Sequence, residues 1–168
     1  MELFSRDGYL STSMADIAKR AGVSKGLLYN YFEGKESILL AILTQAGEEG
    51  EKIMQIEEKV PPKEHLRNIL TRFFDSSKEN IAFYRMIFPI AFQVHNFPFL
   101  QNIIEEKRDR FVGDLIHVFE ELGYEEPEME AWQLGALTDG LMIQMIHLED
   151  EFPLKEMQDF LLRKYKLV

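Results

Sequence analysis

Residues 13–35 read S-M-A-D-I-A-K-R-A-G-V-S-K-G-L-L-Y-N-Y-F-E-G-K, and the order of caps in this stretch predicts two short helices across a tight turn. Ser13 can cap the first, with Asp16 three residues on at capping-box spacing. Gly22 closes it, where a left-handed backbone costs a glycine little. Ser24 caps the second helix, Lys25 to about Tyr31. Ile17, Ala18, Ala21, Val23 and Leu28 supply the small and apolar residues from which the crossing would be packed. Lys25, Gly26, Leu27, Tyr29, Asn30 and Tyr31 are left facing outward. That surface suits a major groove: an amide pairs with adenine edges, an aliphatic meets a thymine methyl, and lysine and tyrosine hold phosphates. The layout is a helix-turn-helix.

The pattern Thr-Ser-Met-x-Asp-Ile-Ala-x-x-Ala-Gly-Val-Ser-Lys-Gly-x-Leu-Tyr-x-Tyr-Phe-x-x-Lys-Glu, over 12–36, resembles the tetracycline-repressor (TetR) family of bacterial regulators. The match is ungapped and confined to the N-terminal quarter of the chain. The resemblance implies that Ser13 meets a phosphate and that Ser24, Lys25 and Gly26 enter the groove at the start of the recognition helix. It implies that Tyr29 and Tyr31 grip phosphates. Position 31 is often His in the family; here the tyrosine hydroxyl can still donate. Leu27 and Asn30 fall where members vary, which implies that operator sequence is read there. Lys35 would reach a phosphate from the start of the next helix, where the dipole also favours an anion. The family has a full first helix before the motif, and Met1–Asp7 would supply only its last turn or two. Members also dimerise through their last two long helices.

The net charge of −10 fits a DNA-binding protein only once it is divided. Residues 1–47 hold five basic side chains (Arg6, Lys19, Arg20, Lys25, Lys35) and five acidic ones. The whole deficit lies in 48–168, so an acidic body would repel DNA and leave the head as the contact surface. There is no cysteine, so no disulfide frame and no thiolate metal site. No stretch approaches the ~20 apolar residues of a membrane span, and no signal peptide is visible, which predicts a cytoplasmic protein.

Beyond the motif the pattern is helical throughout. Ile38, Leu39, Ile42 and Leu43, then Ile53 and Ile56, predict a long helix from Glu36 to about Glu57, softened at Gly47 and Gly50. Pro61-Pro62 marks a restart. Leu66, Ile69, Leu70, Phe73 and Phe74 form the next apolar stripe. Glu79–Gln93 reads as an aromatic-rich helix that Pro89 should kink or break. Asn102–Leu122 is long and amphipathic, stopped by Gly123. Pro127 opens a helix to about Glu149 that is apolar nearly all round, so it should be buried on several sides, most simply by a partner subunit. Leu154–Tyr165 would complete that surface.

His65, His95, His117 and His147 have no metal-ligand spacing, and no phosphate loop or nucleophile motif appears, so neither a metal site nor an enzyme is expected. Phe83, Tyr84, Phe88, Phe92, Phe111, Trp132, Met142 and Met145 are candidates for an apolar effector pocket, with Arg85, Gln93, Gln144 or His147 as polar anchors. The expectation is therefore an all-α protein without cofactors. A helix-turn-helix DNA-binding head spans 1–47, with its first helix truncated, and an effector-binding and dimerisation body spans 48–168. It would be a homodimer on double-stranded operator DNA, most simply a repressor released by a small, largely apolar effector. The alternative is an effector-independent DNA-binding dimer whose body serves only dimerisation.

Overall fold

The two helices of the motif begin and end where their caps put them. A computed structural model of the chain describes residues 1–54 and 60–168, and of 47–54 the backbone alone. Helix α1 covers Glu2–Asp7 and ends at Gly8, whose φ of 83° needs a residue without a Cβ. Helix α2 covers Met14–Ala21. Its capping box is complete: Ser13 Oγ accepts from the Asp16 amide at 3.2 Å, and the Asp16 carboxylate accepts from the Ser13 amide at 3.0 Å. Gly22, at φ 70°, turns the chain so that the Val23 amide closes on the Ala18 carbonyl at 3.0 Å. Helix α3, Lys25–Tyr31, starts under Ser24, whose Oγ accepts from the Leu27 amide at 3.0 Å.

Helix α4 runs Lys35–Met54, through Gly47 and Gly50. The expected continuation through Ile56 to Glu57 lies outside the described residues. Then come α5 (Pro62–Glu79), α6 (Ile81–Ala91), a 3-10 turn at Val94–Asn96, α7 (Pro98–Glu121), α8 (Pro127–Leu148), a second 3-10 turn at Glu149–Glu151, and α9 (Leu154–Lys164). No strand occurs among the described residues.

Three local expectations are corrected. Pro89 lies inside α6 without ending it. The helix runs only two residues beyond it, and the Phe92 amide still reaches the Phe88 carbonyl at 3.0 Å, so the break is not seen. Helix α7 starts at Pro98, not Asn102, because proline at the first helical position sacrifices no hydrogen bond. Ala21, expected in the α2–α3 crossing, is exposed; Met14 takes its place in the core.

Two apolar cores form. One is the body: α5, α7, α8 and α9 enclose Leu66, Leu70, Phe74, Leu115, Phe119, Leu134 and Leu161. The other joins head to body. Phe4, Ala18, Leu28, Leu39 and Leu43 from the first four helices and Tyr9 from the turn after α1 share it with Met86 and Ile90 of α6 and with Phe97 and Leu100 at the start of α7. Head and body therefore meet through α1 on α6 as well as through α4.

Phe119 is fully enclosed, with its ring 5.0 Å from that of Tyr124 and 6.0 Å from that of Tyr165. Tyr165 carries the one buried side-chain polar atom without a hydrogen-bond partner among the described residues. Phe119→Ala should lower the unfolding free energy by about 3–5 kcal/mol, whereas Tyr165→Phe should leave it unchanged or raise it by up to ~1 kcal/mol, both read by urea denaturation.

His65 on α5 is buried, and burial lowers its pKa from 6.5 despite the nearby Asp114 and Glu121. Unfolding restores the ordinary value, so below about pH 6.5 the unfolded chain takes up a proton that the folded chain resists. Stability should therefore fall as pH drops through that value. His65→Gln should flatten this part of the decline in Tm scans between about pH 7.5 and 5.

Candidate nucleic-acid interface and effector cavity

Helix α3 buries Leu28 alone and presents the rest outward. Leu27 is 43% exposed, Tyr29 46% and Tyr31 76%, and Lys25, Gly26 and Asn30 are exposed with them. Large apolar and aromatic groups are thus held in water by a rigid, capped helix. The Lys25 ammonium stands 5.8 Å from the centre of the Tyr29 ring, which places cation and phenol side by side. Gly26 is not required by the fold: its φ is ordinary, and a Cβ there would meet only Ser24 Oγ at 4.0 Å. A glycine that weakens its helix by roughly 1 kcal/mol leaves the backbone bare on the outward side.

Ser13 and Ser24 stand exposed at the N-termini of α2 and α3, each serving as a cap. The remaining head cations are mostly engaged. Arg20 pairs with Glu2 at 2.6 Å and Arg6 with Asp7 at 2.6 Å. Lys35 is engaged as well in the free chain. Its ammonium donates to the carbonyls of Tyr9, Leu10 and Thr12 at 2.9, 3.0 and 3.2 Å. The charge offered by α3 itself is Lys25.

In the body a cavity of about 490 Å³ lies between α6, α7 and α8. Phe88 and Phe92 line it from α6, Phe111 from α7 and Trp132 from α8, all four expected. Ile87, Ile104 and Ile143 add to its apolar wall, and Arg108 and Asp139 are its ionisable groups. Arg108 is held by Asp109 at 2.7 Å. Burial raises the Asp139 carboxyl above its usual range.

The other expected pocket residues lie elsewhere. Met145 lines a second cleft of about 380 Å³, together with Lys78, Ile81 and Arg85, and Arg85 there pairs with Glu149 at 2.7 Å. Phe83 packs against the core shared by head and body. The Tyr84 ring is wedged between Phe83, at 5.4 Å, and Phe88, at 6.5 Å. Met142 is buried on the core side of α8. Arg108 and Asp139 were not anticipated. The available signal was spacing: Ile104, Arg108 and Phe111 lie one helical turn apart, as do Trp132, Ala136, Asp139 and Ile143.

Two capped helices across a three-residue turn, presenting an outward Lys-Tyr-Asn surface on an all-helical body, define a helix-turn-helix DNA-binding protein. Residues 1–42 match the model for bacterial regulatory proteins of the tetR family, and residues 62–165 match that for the C-terminal region of BetI-type transcriptional repressors. The chain belongs to the TetR family of bacterial transcription regulators. It is 30% identical over 149 residues to the HTH-type transcriptional regulator BetI 1 of Chromohalobacter salexigens, spanning 86% of this chain and 73% of that protein. In fold it is similar to a TetR-like regulator from Rhodococcus, with a TM-score of 0.81 at 22% identity over 98% of this chain and 86% of the other. It is also similar to a Clostridium perfringens putative fatty acid metabolism regulator, with a TM-score of 0.75 at 20% identity over 99% and 94%. The family and these relatives are transcription regulators, not enzymes. No helix among the described residues is long and apolar enough to cross a membrane.

Because the Ser24 hydroxyl holds the first turn of α3, Ser24→Ala should cost about 1 kcal/mol of unfolding free energy. Ser24→Asp, which keeps a capping oxygen, should cost little; urea denaturation of the two variants distinguishes them.

Proposed function

We propose that this protein is a dimeric repressor released from its operator by a small, largely apolar effector. The observation that carries the reading is the position of α6. One of its faces, Ile87, Phe88, Ala91 and Phe92, lines the cavity. The other, Met86 and Ile90, is buried against Phe4 and Tyr9 of the head. An occupant of the cavity therefore presses on the helix that seats α1. Helix α7, a second cavity wall, also reaches α4: Lys107 Nζ donates to the Leu43 carbonyl at 3.4 Å. An effector that binds better to a shifted arrangement of α6 and α7 would move the head by as much as its differential affinity allows.

DNA contact is assigned to Ser13, Ser24, Lys25, Gly26, Leu27, Tyr29, Asn30 and Tyr31. Lys25 and the two tyrosines would take phosphates, and Leu27 and Asn30 would read base edges. Dimerisation is assigned to α8 and α9. The outward stripe of α8 runs Met129, Trp132, Ala136, Gly140 and Ile143, all exposed in the single chain; Trp132, Ala136 and Ile143 also line the cavity, which therefore opens onto this face, and on α9 Phe160 is 54% exposed. Large apolar groups interleaved with Ala and Gly suit close helix–helix approach. Two heads so paired would occupy successive major grooves about 34–36 Å apart.

The test begins with DNA from upstream of the protein's own gene, in a mobility-shift assay. Tyr29→Ala and Lys25→Ala should each weaken binding at unchanged Tm, and Lys25→Ala should also reduce the slope of log K against log [salt] by about one per head. Normal binding by both would remove α3 as the contact surface.

Gly140→Arg tests the dimer, because nothing lies within 4 Å of the added Cβ in the single chain. It should yield a folded monomer by sedimentation, with DNA binding lost. A panel of apolar ligands in thermal shift completes the test. Ligands that stabilise the protein should also release the DNA, and stabilisation by none would favour a body that only dimerises.

A further inference from the structure

We propose that the cavity between α6, α7 and α8 is shared by two copies of the chain: α8 of the partner closes its mouth, so the effector site is whole only in the dimer. The inference rests on the dimeric reading proposed above and adds where the ligand lies relative to the partner. The mouth is the outward face of α8 itself. Trp132, Ala136 and Ile143 line the space of about 490 Å³ and are exposed in the single chain. Phe92, which lines it from α6, is 72% exposed. In a lone chain this aromatic rim stands in water, a condition that apolar burial opposes.

Two-fold symmetry supplies the closing surface. In a homodimer one patch meets its own copy, so a contact of one residue with another occurs twice, with the roles exchanged. On α8 the small residues Ala136 and Gly140 lie between Trp132 and Ile143. These two large residues are ~16 Å apart along the helix. A two-fold axis near the small pair sets the Trp132 end of one helix over the Ile143 end of the other. Both ends belong to the cavity wall, so each subunit's large side chains would roof the other's cavity.

Asp139 gives the reason for the space to stay open under that roof. It lines the cavity, and burial alone, with no neighbouring cation, shifts its carboxyl upward. Arg108, in the same wall, is taken by Asp109. Apolar side chains of the partner filling the space would strand this carboxyl without water or a hydrogen-bond donor. A mostly apolar ligand carrying a donor leaves it satisfied, and the ligand is then enclosed by both subunits.

Trp132 is the chain's single tryptophan, so the protein reports on its own cavity mouth. The full-length dimer is compared with the Gly140→Arg monomer, whose substitution lies outside the cavity lining. Should that variant not fold, dilution of the parent protein through dimer dissociation gives the same comparison. The first measurement is acrylamide quenching of Trp132, which should be several times weaker in the dimer, with emission moved to the blue. The second is binding of N-phenyl-1-naphthylamine, a neutral apolar amine with one N–H, followed by its fluorescence on excitation of Trp132. The dimer should take one probe per subunit, and the monomer should bind at least about tenfold more weakly. By linkage, the probe at about ten times its Kd should lower the dimer dissociation constant at least about thirtyfold in sedimentation. Gly135→Leu, whose Cβ would start 3.8 Å from the Phe111 ring in the cavity wall, should abolish probe binding while Trp132 stays shielded in the dimer.

Equal affinity of the probe for dimer and monomer would make the cavity one subunit's own and overturn the proposal, with the effector reading left standing. A tryptophan as open to acrylamide in the dimer as in the monomer would place the subunit contact elsewhere and overturn it too. A shielded Trp132 with no probe bound, or with binding that survives Gly135→Leu, would mean that the partner's side chains fill the space, and would overturn it equally. Failure of the parent protein to bind any upstream duplex would count against the repressor reading alone, since neither measurement uses DNA.

Discussion

The structure depends on one apolar contact, that of Phe4 and Tyr9 with Met86, Ile90 and Phe97. The first three helices are six, eight and seven residues long, too short to enclose a core by themselves. They complete theirs with the start of α4 and with side chains from α6 and α7. The head is thereby part of the body's packing, and its orientation is set by helices that also wall the cavity. Burial at this contact pushes the Tyr9 hydroxyl up to about 12, with the charge of Glu36 adding to the effect. The phenol therefore stays neutral in the shared core at any physiological pH.

That arrangement changes how a signal would cross the molecule. A single connecting helix would act as a lever with a free pivot. Here α6 is held on one face by the head and borders a cavity on the other, so under the proposed function an occupant and the head would compete for the position of one element. Packed interiors move between discrete arrangements more readily than they deform continuously. Pro89 removes one hydrogen bond from the last turn of the same helix, on the stretch that carries Phe88 and Phe92 into the cavity.

The charge distribution has a matching economy. The head is neutral overall, and its arginines at positions 6 and 20 are paired with carboxylates. Lys35 is turned inward onto backbone carbonyls. Little free cation is left to attract DNA unspecifically, and the acidic body opposes it. In the proposed function, recognition by such a head would rest on shape, on the exposed phenols and on the pose of α3 rather than on bulk charge.

The sequence by itself determined whatever depends on neighbours along the chain. Ser13 with Asp16, Gly22 and Ser24 satisfy helix ends locally, so the motif was legible before any fold was known, as was the outward surface of α3. Helical periodicity likewise predicted the extent of α8 and α9 to within a residue or so. Tertiary structure alone decided what depends on which helix lies across the gap. It put Met14 in the core and left Ala21 exposed. It drew Arg108 and Asp139 to the cavity and moved Met142 and Phe83 away from it. It also turned Lys35 toward three carbonyls more than twenty residues earlier. The reason is physical: caps and periodicity report each residue's own helix, whereas the occupant of a gap or the partner of a cation is fixed only when distant segments pack.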